Sequence, residues 1–231
     1  MRSPLRRLAA ALSVTTLLAA GAVTAALPAT ASSTTAAAAC RTSLDLPGRV
    51  SIDRPLHQAR IAINDRCGVD QASFQVVGPK GYSTTFDFDL TRTDKYARWD
   101  IPSTLAPGTY TARSATPGYV PTTAVLKYGS KISFAAYRFY DEPGIDSNVV
   151  YMEACASYYN ASRGQYLPWR DHRVVLENTD RFGGYRYLST VRTGADGCAL
   201  TAVPNKYLST YRVTSYETAN IFSRTSAGIT I

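Results

Sequence analysis

The chain has 231 residues, 45% of them hydrophobic, with 25 basic and 17 acidic side chains and a formal charge of +8. Arg2, Arg6 and Arg7 belong to a leader, and without them the charge falls to about +5, spread evenly as 11 basic and 8 acidic residues over 40–129 and 11 and 9 over 130–231. So mild and diffuse a charge excludes a nucleic-acid stripe, while it favours anionic partners such as acidic wall polymers.

Residues 1–31 read as a signal peptide: a basic start, an Ala- and Leu-rich stretch from Leu8 to Ala26, and Ala29-Thr30-Ala31 as a small-x-small cleavage site. Ser13, Thr15, Thr16, Gly21 and Thr24 interrupt the apolar run, which argues against a retained anchor. Residues 32–39 are a flexible spacer of Ser, Thr and Ala. Small residues also precede Cys40, as they do in a lipoprotein. Lipidating it would leave Cys67 as an odd thiol in an oxidising compartment, so parity favours a disulfide. No later segment is long and apolar enough to span a bilayer, and the last residues carry no sorting motif. The expectation is a secreted, extracellular protein without stable membrane insertion.

Alternation of apolar and polar residues dominates the rest. Residues 40–129 offer strands at Arg49–Asp53, Arg60–Asn64, Ser73–Val76, Thr85–Leu90, Tyr96–Ile101, Gly108–Arg113 and Thr122–Tyr128. Thr85–Leu90 is the clearest, with Phe86, Phe88 and Leu90 on one face and aspartates on the other. A boundary is placed at Tyr128-Gly129-Ser130, short enough to restrict relative orientation. Residues 130–231 repeat the count at Lys131–Phe139, Val149–Tyr159, Arg173–Glu177, Tyr185–Arg192, Cys198–Val203, Tyr207–Tyr216 and Thr225–Ile231. The predicted fold class is all-β: two tandem immunoglobulin-like Greek-key β-sandwich domains, each of about seven strands with one disulfide.

The four cysteines fit that layout. Cys40 opens the first strand region and Cys67 closes the strand of Ile61 and Ile63, so antiparallel pairing brings them together. Cys155 lies on the second strand of the second half and Cys198 begins its fifth, neighbours in such a sandwich. Neither pair has the close C-x-x-C spacing of a redox or metal site.

The segments Val174-Val175-Leu176, Tyr187–Thr193, Asp196-Gly197, Val203-Pro204 and Ser209–Val213 resemble the immunoglobulin-like repeats of uncharacterised actinobacterial secreted proteins, and Gly108–Thr111 is similar to their penultimate strand. The resemblance implies a fold and transfers no catalytic residue.

Chemistry is sparse. Only His57 and His172 are present, both read as surface residues, and Asp171-His172-Arg173 alternate in direction along a strand, which prevents a relay. There is no G-x-S-x-G turn, P-loop, dinucleotide fingerprint or zinc spacing. Asp87, Asp89 and Asp94, and separately Asp141, Glu142 and Asp146, are the acidic groupings that bear on calcium. The first looks like a solvated strand face and the second like a Pro-Gly turn, so no metal and no cofactor are expected.

Aromatic residues say more. Eleven of sixteen tyrosines follow residue 129, and residues 158–171 read as a long connection rich in Tyr, Trp and Arg. At the end of a sandwich such a loop is where recognition is grafted. Tyr159, Arg163, Tyr166, Trp169 and Arg170 are its candidate binding residues, against a reading in which Trp169 plugs the core; Trp99 is assigned to the core. Tyr110 and Tyr211 are expected as corner tyrosines. The functional expectation is a non-catalytic binding or structural protein at the cell wall or surface, with an anionic wall polymer, polysaccharide or secreted protein as partner. An enzyme inhibitor, a ligand carrier or an accessory module of a polymer-acting enzyme is the alternative.

Overall fold

Period-two burial builds the first sandwich. In Gln71–Val77 the residues Ala72, Phe74 and Val76 are buried and their neighbours are turned outward, as expected for a strand with one solvated face. The computed structural model describes residues 40–231 except 93–94, 117, 139–147, 180–182 and 206. The leader, the spacer, Asp94 and the acidic grouping of Asp141, Glu142 and Asp146 lie outside the described residues.

The strands are β1 (Thr42–Asp45), β2 (Arg49–Ile52), β3 (Leu56–Asp65), β4 (Gln71–Val77), β5 (Ser83–Asp89), β6 (Tyr96–Pro102), β7 (Gly108–Arg113) and β8 (Thr123–Tyr128). They form a β1-β3-β6 sheet facing a β2-β8-β7-β4-β5 sheet. One more strand is present than expected. The chain changes sheets at Leu46-Pro47-Gly48, so β1 pairs antiparallel with β3 while β2 runs parallel to β8. A four-residue strand ending at a Pro-Gly break is too short to stand out by alternation alone.

The core between these sheets centres on Phe74, Trp99, Tyr110, Ile61 and Leu126. The Trp99 indole N–H donates to Tyr82 Oη at 3.0 Å, satisfying its polar edge. Tyr110 behaves as a corner tyrosine: its hydroxyl donates to Ala106 O at 2.8 Å, and burial pushes its pKa up to about 12.

The second sandwich contains β9 (Ser130–Tyr137), β10 (Val149–Asn160), β11 (Gln165–Pro168), β12 (Arg173–Thr179), β13 (Tyr185–Arg192), β14 (Cys198–Pro204), β15 (Thr210–Ser215), β16 (Arg224–Thr225) and β17 (Ile229–Thr230). On one sheet β10 pairs with β9 along one edge and with β14 and then β11 along the other. The opposite sheet runs β13-β12-β15, with β16 and β17 both on β15. Val150, Met152, Leu176, Tyr211 and Val213 fill the space between. The expected final strand is thus two short pieces, interrupted at Ser226-Ala227-Gly228.

Both disulfides form as expected. Cys155 and Cys198 are directly opposite on β10 and β14, and Cys40–Cys67 closes the end of the β1–β3 pair next to Thr42 and Asp65. Each bridge stays within one sheet, so sheet-to-sheet cohesion rests on the apolar cores. By constraining the unfolded chain each contributes about 2–4 kcal/mol.

Gly129 alone separates β8 from β9. Its N–H donates to Ile52 O at 2.9 Å and its carbonyl accepts from Tyr159 N at 2.8 Å. A Cβ there would come within 2.8 Å of Ser51 Oγ and 2.9 Å of Tyr166 Oη, so a larger residue would have to push these side-chain ends aside where the two sandwiches meet. The 217–222 segment straps the same junction. Tyr128 N donates to Asn220 O, Phe222 N to Tyr128 O, and Glu217 pairs with Lys127 at 2.6 Å and Arg49 at 2.9 Å. The hydrogen bond from Lys127 leads in holding the Glu217 carboxyl below its usual range. These ions are partly solvated, so Glu217→Gln is expected to cost less than about 1 kcal/mol. Thermal melts should show that difference at low salt and lose it at high salt.

Candidate functional site

Residues 158–171 are a β-hairpin for most of their length and not the loop expected. Tyr158 pairs with Leu167, Tyr159 with Tyr166 and Asn160 with Gln165. The turn between the strands is made by Asn160, whose Oδ1 accepts from Ser162 Oγ at 2.7 Å and Arg163 N at 3.0 Å, and by Gly164 at φ 63°. Because adjacent strand residues point to opposite faces, pairing divides the five candidate residues into two groups.

Tyr159 and Tyr166 face the first sandwich. Tyr159 is 1% exposed and belongs to the Phe74–Trp99 core, with Tyr166 and Ala161 packed beside it. The two rings meet edge to face at 5.6 Å, and Lys131 Nζ lies 4.0 Å over the Tyr166 ring. Burial first, then the Asp53 carboxylate, raises the Tyr166 phenol above its ordinary pKa. Tyr159 is therefore corrected from a recognition residue to a packing one: its side chain is spent joining the sandwiches. The sequence missed this because the core that Tyr159 joins is built from strands of the first sandwich, well before it in the chain.

The other face gathers Arg163, Trp169 and Arg170. With Tyr158, Leu167, Pro168 and Ile221 they line a groove of about 550 Å³. Trp169 is not a core plug. It lies half-buried at the rim of the second core, 6.0 Å from the Tyr158 ring and stacked on His172 at 3.3 Å and 11°. Its carbonyl accepts from the Thr193 hydroxyl, whose Oγ1 in turn accepts from the His172 backbone N–H at 3.0 Å. Among the described residues no carboxylate lines the groove. Asp171, next in sequence, is held by Arg192 at 2.8 Å. Among the described residues neither Arg163 nor Arg170 has a carboxylate partner, leaving two guanidiniums available to an anion. Ile221 carried no local signal, since only the strap brings it here.

The histidines divide. His57 is partly exposed, with Nδ1 4.0 Å from Asp53, whereas His172 is 8% exposed, contrary to the surface reading. The turn at Asp171, with φ 49°, folds the imidazole under Trp169. Burial lowers the His172 pKa to about 4, and its Nε2 has no hydrogen-bond partner among the described residues. Asp87 and Asp89 lie on the outer side of β5, and Asp89 accepts from the Thr91 hydroxyl at 2.6 Å. Glu153, Cys155 and Cys198 cluster within 4.8 Å, but both sulfurs are consumed by the disulfide. Among the described residues no helix is long and apolar enough to cross a membrane.

No family model matches the chain, and no curated protein matches it. Among solved structures it is similar to a tetra-tandem repeat in the extending region of a large adhesion protein (TM-score 0.31, 15% identity, 84% of this chain and 49% of that one). It is also similar to the BSP domain of a biofilm associated protein (TM-score 0.26, 16% identity, 84% and 29%). A third similarity is to a two-domain fibronectin type-III segment from chicken tenascin (TM-score 0.31, 15% identity, 77% and 92%). The chain spans less than half the length of the first two. At these TM-scores the likenesses bear on no residue of the site.

Proposed function

We propose that this chain is a non-catalytic extracellular binding protein that associates with the cell wall or surface through the outer face of the β10–β11 hairpin. One observation carries the reading: Arg163, Arg170, Trp169 and Tyr158 converge on a single groove that, among the described residues, is lined by no carboxylate. Aromatic faces beside unpaired guanidiniums suit a ligand with flat apolar surface and negative charge. Two disulfides and a signal-peptide-like leader accord with export to an oxidising compartment. The partner in this reading is an anionic wall polymer.

Co-sedimentation with purified bacterial cell walls tests it. The chain is expected to pellet with walls at low and at high salt, and Arg170→Ala or Arg163→Ala to weaken pelleting about tenfold or more while staying folded, as judged by circular dichroism. Equal pelleting of all three, or its complete loss in salt for every variant, would reduce the association to diffuse charge.

A further inference from the structure

The groove has a second hollow beside it. A neighbouring depression of about 510 Å³ is lined by Thr104 and Tyr128 of the first sandwich together with Asn160, Ser162 and Asn220. Tyr158 and Ile221 line both, so the two hollows adjoin and together form a track across the junction. The strap and Gly129 tie the two sandwiches at this point, so its two ends keep their register.

The two ends differ in chemistry. Arg163 and Arg170 make one end cationic, with Trp169 and Tyr158 beside them. The other end is rich in amides and hydroxyls, and among the described residues it too is lined by no carboxylate. There the Asn160 Oδ1 is used by the hairpin turn, which leaves its NH₂ group without a partner among the described residues. The Asn220 amide is likewise unpaired among the described residues, its backbone alone being engaged by Tyr128 and Thr218.

Resting on the binding function proposed above, we infer that the two hollows act as one cleft, which binds one linear acidic polysaccharide across both sandwiches. Its carboxylates meet Arg163 and Arg170, and its neutral hydroxyls meet Asn160, Asn220 and Thr104. Hydroxyl-rich rings can pair with the amide and hydroxyl groups of the neutral end, and their flat faces suit the Tyr158 and Trp169 rings. A chain long enough to reach both ends gains contacts that a short one lacks.

The test is calorimetric titration of the chain with oligogalacturonates, dimer to decamer. Wild-type affinity is expected to rise about tenfold from the shortest to the longest oligomer. Thr104 is exposed at a turn, so Thr104→Trp fills the first-sandwich end with little risk to folding. It should hold every oligomer at the affinity of the short ones, whereas Arg170→Ala should weaken binding at all lengths. A length dependence that survives in Thr104→Trp would overturn the shared cleft and leave the binding function standing. Failure of every oligogalacturonate to bind, with wall pelleting intact, would overturn the acidic polysaccharide as ligand. Failure of both assays would overturn the binding function itself.

Discussion

Tyr159→Ala is expected to destabilise the chain by about 3–5 kcal/mol, as for other large aromatic truncations in a packed core. The residue sits on the second sandwich but is 1% exposed within the core of the first. Removing the ring opens a cavity where the two meet, and it strips Tyr166 of its edge-to-face partner. Tyr159→Phe should behave in the opposite way. The Tyr159 hydroxyl is buried without a hydrogen-bond partner among the described residues, so deleting it removes an uncompensated desolvation cost and leaves the packing intact. Chemical unfolding of both variants checks the pair. Equal stability of the alanine variant and wild type would show that the hairpin does not hold the sandwiches together.

The second large effect is on acid stability. His172 has an unfolded pKa near 6.5 and a folded one of about 4, lowered by burial. As pH falls, the unfolded chain takes up the proton first, so the contribution is complete above about pH 6.5 and is lost progressively down to about pH 4. The total loss is up to about 3 kcal/mol. Carboxylates with lowered pKa, such as Asp53 and Glu217, lose their contributions further down, as pH falls below the ordinary carboxylate range. Unfolding free energies of wild type and His172→Phe across this range isolate the histidine. Phenylalanine keeps a flat ring on Trp169 and cannot charge, so the difference curve should bend between the two pKa values. A flat difference would mean that the imidazole is solvated.

What could be read from the sequence depended on distance along the chain. Fold class, both disulfides and the core placement of Trp99 followed from alternation and cysteine position, which are local or nearly so. Thr42–Asp45 was lost because four residues beside a Pro-Gly break carry too little pattern. The 158–171 segment was misread as a loop because Tyr, Arg and Trp stand where strand alternation would place polar residues. The turn signal of Asn160 and Gly164 was present and pointed to a hairpin. Division of the five candidates between an inner and an outer face follows from that pairing. The participation of Ile221, Asn220 and Thr104 does not, since only the folded strap and junction bring them to the cleft.

The measurement that most directly tests the central claim is acrylamide quenching of tryptophan fluorescence with and without solubilised wall polymer. Trp99 is 1% exposed in the first core and contributes an unquenched background, while Trp169 lines the groove. The account predicts that saturating polymer shields Trp169, and that Arg170→Ala loses the shielding in step with its loss of binding. Polymer that binds at full strength while Trp169 remains equally quenchable would contradict recognition through this face of the hairpin.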